Sequence, residues 1–187
     1  MWLNLLKNDI PKFNAEREEI KYVPINLVHT DLRGRDLRHA NLRNVRLIGA
    51  RLDYSNLVQV NLHGANLVFC SLVKAHLSGA DLSYADMVNA HLHGANLESA
   101  DLTYADLTNA YMRGANLACA ELTYANLTDA RLPNAILVDA DLVGANLANA
   151  DLTEADARCC NFVRANTTGV DWTNTRLERA KFNEVIA

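Results

Sequence analysis

Apolar residues recur along this chain at a fixed interval of five. From Leu27 to Leu152 every fifth position is leucine, apart from Met87 and Met112. Two residues before each of these stands a residue that is mostly small, and from Ala75 to Ala155 it is alanine throughout. One inserted residue would destroy the phase, so the segment is a continuous array of five-residue units rather than elements joined by loops. An α-helix needs apolar positions near a spacing of 3.6 and a free strand needs strict alternation, so neither fits. The small residue and the leucine, two apart, can face the same side of a short extended segment. The next two residues must then turn a corner.

That corner is marked in the sequence. All eight glycines, from Gly34 to Gly169, sit two residues after the five-beat position, and Asn44, Asn89, Asn109, Asn134, Asn149 and Asn174 fill the same slot. Glycine and asparagine tolerate positive φ, which the third residue of a type II turn requires. Leu132-Pro133-Asn134-Ala135 adds proline at the second turn position, where its fixed φ suits the turn. A chain with a corner every five residues coils.

Units such as Ala80-Asp81-Leu82-Ser83-Tyr84, Ala95-Asn96-Leu97-Glu98-Ser99 and Ala145-Asn146-Leu147-Ala148-Asn149 resemble the A(D/N)LXX unit of the pentapeptide-repeat family. The resemblance covers nearly the whole chain. It implies an all-β solenoid, a right-handed quadrilateral parallel β-helix in which four units make one square coil. The leucine and the small residue would face the interior and the other three positions solvent. About eight coils, stacked at the strand spacing of ~4.8 Å, would make a rod about 38 Å long. Leu82, Leu102, Leu122 and Leu142, twenty apart, would stack in one interior column.

The chain divides into residues 1–24, expected as a helical cap and lead-in strand, and residues 25–187, the β-helix with a degenerate C-terminal coil. The segment from Asn8 to Glu19 reads as one short helix capped by Asn8 or Asp9, with Pro11 in its first turn. Leu6, Ile10 and Phe13 are expected to lie over the open interior of the first coil and hide an aggregation-prone edge. Arg35 occupies an inward slot where the array wants alanine; its guanidinium is expected to escape and meet Glu16, Glu18 or Glu19. At the far end Ala157, Phe162, Thr167, Trp172 and Phe182 replace leucine. No C-terminal dimerisation helix is evident, so the last coil is expected to be plugged by residues 183–187 or paired end to end with a second copy.

Hydrophobic content of 50% is high, and the beat explains it. No apolar run approaches a membrane span. The start, Met1 to Leu6, lacks the basic flank and long apolar stretch of a signal peptide. Four cysteines without disulfide spacing suit a reducing compartment, and the expected location is cytoplasmic. Cys119 and Cys159, forty residues apart, would lie roughly 9.6 Å apart along the axis, beyond disulfide reach.

Counting by twenties places Asp81, Asp101, Glu121 and Asp141 in one outward column, with Tyr84, Tyr104 and Tyr124 at the adjoining corner. The opposite wall holds Arg51, Lys74, His91, His93, Arg113 and Arg131. The acidic wall reads either as a docking surface, or a mimic of a phosphate backbone, or as ordinary solenoid surface on which Asp and Asn are common. No nucleophile, base and orienter stand at interpretable spacing, and the glycines recur as turns rather than as a phosphate loop. His91 and His93 have cationic rather than carboxylate or thiolate neighbours, which disfavours a metal. A net charge of −4 and arginines spread over several walls disfavour direct nucleic-acid binding. The sequence therefore points to a non-enzymatic scaffold, without cofactor, metal or membrane, that presents Asp81, Asp101, Glu121, Asp141, Tyr84, Tyr104 and Tyr124 to an unidentified protein partner. The alternative implied by the resemblance is a DNA mimic that binds or protects a type II topoisomerase such as gyrase, as quinolone-resistance members of the family do.

Overall fold

The computed structural model describes residues 1–20 and 23–183. From Asn26 onward each wall segment pairs in parallel with the residue twenty further on: Asn26 with Arg46, Asp31 with Arg51, and so along the chain to Asn161 with Lys181. Every fifth residue from His29 to Arg179 is a corner at positive φ, between 53° and 72°. Glycine fills only some of these corners. Tyr54, Phe69, Lys74 and Cys119 adopt the same left-handed geometry, at a steric cost of about 1–2 kcal/mol each.

One unit shows what offsets that cost. Asp81 N–H donates to Val60 O at 3.0 Å, Leu82 N–H to Asp101 O at 2.7 Å, and Tyr84 N–H to Thr103 O at 2.9 Å. Ala85 N–H closes the turn on Leu82 O at 3.0 Å. The fifth donor, Ser83 N–H, faces no carbonyl of a neighbouring coil and goes to the Asp81 side chain at 3.1 Å. All five amides of the unit are thereby satisfied, which a buried backbone demands. The same side-chain bond recurs from Asn26 with Val28 to Asp171 with Thr173. The preference for Asp or Asn before the leucine thus has a local cause: a short side chain that accepts from the amide two residues on.

The beat residues fill the interior. Every leucine or methionine from Leu27 to Leu152 is buried, as are the alanines two residues before them. Cys70 and Cys160 take the alanine slot as free buried thiols, which hydrogen-bond to Ala50 O and Leu137 O. Burial pushes the Cys160 thiol up to about 12, so it stays protonated. Ser55 and Thr175 also point inward; their hydroxyls donate to Leu52 O and Leu152 O.

Two helices, not one, precede the solenoid. α1 spans Trp2–Asn8 and α2 spans Ile10–Glu19, broken at Asp9, whose carboxylate caps α2 by accepting the Lys12 N–H at 2.9 Å. The expected cap residue is correct, but the apolar run before it, Trp2 to Leu6, is itself helical. Leu6 and Phe13 are fully buried, Ile10 partly so, and Trp2 meets Phe13 edge to face at 5.8 Å.

The helices also replace hydrogen bonds that a preceding coil would have made. Asn61 N–H donates to Ala40 O, but Asn41 in the first coil has no such carbonyl and donates to Asn14 Oδ1 at 2.8 Å. Each corner amide, such as His29 N–H, donates nineteen residues ahead, so the Arg43 carbonyl would be served by position 24. That position is Pro24, which has no N–H. The guanidinium of Arg17, buried at 1% exposure, takes its place and also donates to Val23 O at 2.9 Å. Arg35 behaves otherwise than expected. It is exposed and pairs with none of Glu16, Glu18 and Glu19 among the described residues. Leu6 and Phe13 already fill the space above the first coil, and Arg35 is turned outward into a cleft beside α1.

At the far end Phe162, Trp172 and Phe182 form a ring cluster, with Phe162 stacked on Phe182 at 5.0 Å and edge-on to Trp172 at 5.4 Å. Asn183 Oδ1 accepts the Arg164 N–H at 2.8 Å; the rest of the expected plug, residues 184–187, lies outside the described residues.

Truncation of Leu97 to alanine, in the middle of the rod, should cost about 2–5 kcal/mol in chemical denaturation. Arg17→Met should cost roughly 1–3 kcal/mol through the orphaned carbonyls. It should also speed amide exchange in residues 41–47 while leaving the mid-rod unchanged.

Candidate protein-interaction surface

The solenoid register brings the expected surface residues together. Asp81, Asp101, Glu121 and Asp141 bridge in sequence, each to the next. They are not equivalent, however. Asp81, Asp101 and Asp141 are half-buried and accept the amides of Ser83, Thr103 and Val143 at 3.1, 2.9 and 3.0 Å. Glu121 is exposed, its longer side chain not part of that pattern. Three of the four carboxylates therefore hold turns together as well as carrying charge.

The tyrosines have no such structural task. Tyr84, Tyr104 and Tyr124 stand at corners with φ near 58° and stack along the axis, ring centroids 5.0 and 5.2 Å apart and planes inclined by 16°. They remain 57%, 48% and 46% exposed. The column ends on Gly144, where an added Cβ would come within 2.5 Å of the Tyr124 ring. The absence of a side chain there lets Tyr124 lie flat over the next corner. A ribbon of ring edges and faces thus runs beside the carboxylates, pre-ordered by stacking.

At the N-terminal end of this wall, sequence spacing did not reveal a contact. Ser83 Oγ lies 2.8 Å from His63 Nδ1 and donates to Asp81 Oδ1. A serine, a histidine and an aspartate therefore meet, but the carboxylate orients the hydroxyl rather than the imidazole. Ser83 is 7% exposed. The nearby amides of Ser83, Tyr84 and Ala85 are all engaged, with Asp81, Thr103 and Leu82, so none of these three is free to stabilise an oxyanion. The cluster supports the wall: the His63 ring packs edge-on to Tyr84 at 5.4 Å.

The opposite wall is cationic and aromatic. Tyr111 is sandwiched between the His91 ring at 4.9 Å and the Arg131 guanidinium at 5.0 Å, with His93 at 6.0 Å. Lys74 lies 5.9 Å from the Tyr54 ring. The sequence placed these cations on one wall; the pairing of Tyr111 with them was missed, although its spacing of twenty from His91 and Arg131 carried the signal. No cluster of metal-ligating side chains occurs among the described residues. No helix among them is long and apolar enough to cross a membrane.

Comparison with known proteins agrees with this geometry. A family model described as pentapeptide repeats matches residues 25–64, 61–98, 95–134 and 135–170. No curated protein matches the chain. Among solved structures, two trypsin-treated variants of QnrB1, a plasmid-mediated fluoroquinolone resistance protein, share the fold. One aligns with a TM-score of 0.57 at 19% identity, covering 87% of this chain and 92% of that one. The other has a TM-score of 0.60 at 17% identity, covering 86% and 89%. HetL, a protein of the cyanobacterium Nostoc sp. strain PCC 7120 involved in heterocyst differentiation regulation, is 26% identical over 91% of this chain and 95% of its own, with a TM-score of 0.32. The family match and the shared fold make the solenoid a right-handed β-helix.

The cationic wall makes a pH prediction. Partial burial, and then the charges of His91 and Arg113, hold His93 below the ordinary histidine value of 6.5. The folded state therefore favours the neutral ring. The stability it contributes is complete above the unfolded value and lost as pH falls through that value towards the folded one. Imidazole chemical shifts should show His93 titrating below the ordinary histidine value, and Arg113→Gln should move it upward; an unchanged midpoint in that variant would refute the assignment.

Proposed function

The chain belongs to the pentapeptide-repeat family, and from that premise we propose that it is a non-enzymatic scaffold that docks a protein partner against one wall of its β-helix. The observation that carries this reading is the tyrosine column. Three large rings are held half in solvent at positive-φ corners where glycine or asparagine would be less strained. Rigid aromatics lose little entropy when covered and are enriched at the centres of interfaces. The neighbouring Asp81, Asp101, Glu121 and Asp141 supply a negative field that would steer a basic partner and set its register. A wall whose backbone is fully hydrogen-bonded binds without reorganisation.

The same carboxylates support a second reading, a mimic of the DNA backbone that engages a type II topoisomerase such as gyrase. Its support is the solenoid shared with the QnrB1 variants. A net charge of only −4 and six arginines between Arg33 and Arg51 weigh against it.

Separating charge from turn structure decides the design of the test. Asp→Asn at positions 81, 101 and 141 keeps the accepting oxygen and removes the charge, whereas lysine would break the turn as well. Affinity capture from the native host's lysate should retain a partner with the wild type. The triple asparagine variant should retain less, and Tyr104→Ala should weaken binding by about 2 kcal/mol, roughly thirtyfold. Equal capture by all three proteins would move the interface off this wall. An effect on gyrase supercoiling at micromolar protein would favour the mimic, and no effect would remove it.

A further inference from the structure

Three cations at the N-terminal end of the rod converge on one cleft and form no ion pair there among the described residues. α1 lies beside the first coils on the cationic wall, and between them opens a cleft of about 750 Å³ lined by Lys7, Arg33, Arg35, Arg51, Asp53 and Tyr54, with Asp31 and Gly34. Both carboxylates of the lining are already engaged. Asp31 accepts two hydrogen bonds from the Arg33 guanidinium, at 2.9 and 2.6 Å. Asp53, nearly buried, accepts from the Ser71 hydroxyl and the Val73 N–H. Lys7, Arg35 and Arg51 form no ion pair among the described residues.

Arg35 is the least expected member. It stands in the slot that every unit from Ala75 to Ala155 fills with alanine, and its side chain turns out of the solenoid into this cleft rather than towards the glutamates of α2. Lys7 reaches the same cleft from a different element. Gly34 leaves the wall beside Arg35 open, since an added Cβ there would meet nothing within 4 Å. At the mouth, Tyr54 is 61% exposed and backed by the Lys74 ammonium.

We propose that this cleft binds a multivalent oxyanion carried by a small molecule, a phosphate or a polycarboxylate, with Lys7, Arg35 and Arg51 as its ligands. Guanidinium groups present paired donors that match the oxygens of either group. The exposed ring of Tyr54 offers a flat face to the organic part of the ligand. The site is separate from the acidic wall and independent of what docks there.

Isothermal titration with inorganic pyrophosphate, and separately with citrate, at matched ionic strength tests the assignment. One anion per chain should bind, more weakly as salt rises. Arg35→Gln and Arg51→Gln should each weaken binding roughly tenfold or more, and Lys7→Gln should act in the same direction. Arg113→Gln with Arg131→Gln, farther along the same wall, should leave it unchanged. Melting curves that overlay the wild type would exclude misfolding, and Lys7→Gln, outside the solenoid, serves if an arginine variant fails to fold. Pyrophosphate alone would assign a phosphate ligand and citrate alone a carboxylate. Binding of neither overturns the proposal, as does binding that the cleft variants retain or that the distant pair weakens equally.

Discussion

A chain that turns a corner every five residues must find partners for five amides in each turn of the pattern, and the rest of the structure depends on that requirement. Neighbouring coils accept three of the five, the turn accepts one, and where Asp or Asn stands before the leucine its side chain accepts the last. The arrangement closes only if the residue two after the leucine has positive φ, which it has at every corner from His29 to Arg179. The inward slot two residues before the leucine takes alanine in most units, and Val45, Val60 and Cys70 are buried in it as well. Leucine then fills what remains of the interior. Conformation, hydrogen bonding and packing thus impose one period, so an error in any of them would be felt by the other two.

The ends are where this logic lacks a neighbour, and the chain meets the deficit by different means at each. At the start, α2 supplies side chains in place of missing backbone: Asn14 serves Asn41, and Arg17 serves the carbonyl that Pro24 leaves unpaired. Leu6 and Phe13 cover the apolar cross-section. At the far end, rings replace leucine and stack on one another, Phe162 against Phe182 and Trp172. A terminal coil receives contacts from one side only, and larger side chains recover part of the apolar burial that a second neighbour would have provided.

The outer surface is freer, but less free than its composition suggests. A column of carboxylates is read naturally as a charged docking face, yet three of its four members serve the turn in which they sit. Their presence is therefore weak testimony to function. The residues that the backbone does not require are better guides: Tyr84, Tyr104 and Tyr124 at strained corners, Tyr111 between His91 and Arg131, and Arg35 in a slot meant for alanine.

The five-residue beat, read from sequence alone, determined the corners and the interior, which depend on interactions within one unit; the four units per coil, and with them the spacing of twenty, came from the resemblance to the pentapeptide-repeat family. The same arithmetic placed Asp81 beside Asp101 and Tyr84 beside Tyr104. Contacts without a fixed spacing were decided only by the tertiary structure. The break at Asp9 that makes two helices, the substitution of Arg17 for a missing amide, and the meeting of His63 with Ser83 depend on how side chains reach across elements. Arg35 shows the limit most clearly: its slot is legible in the sequence, but its direction follows from what already occupied the space above the first coil. Periodicity specifies positions; the volume that other side chains leave open specifies where an exception points.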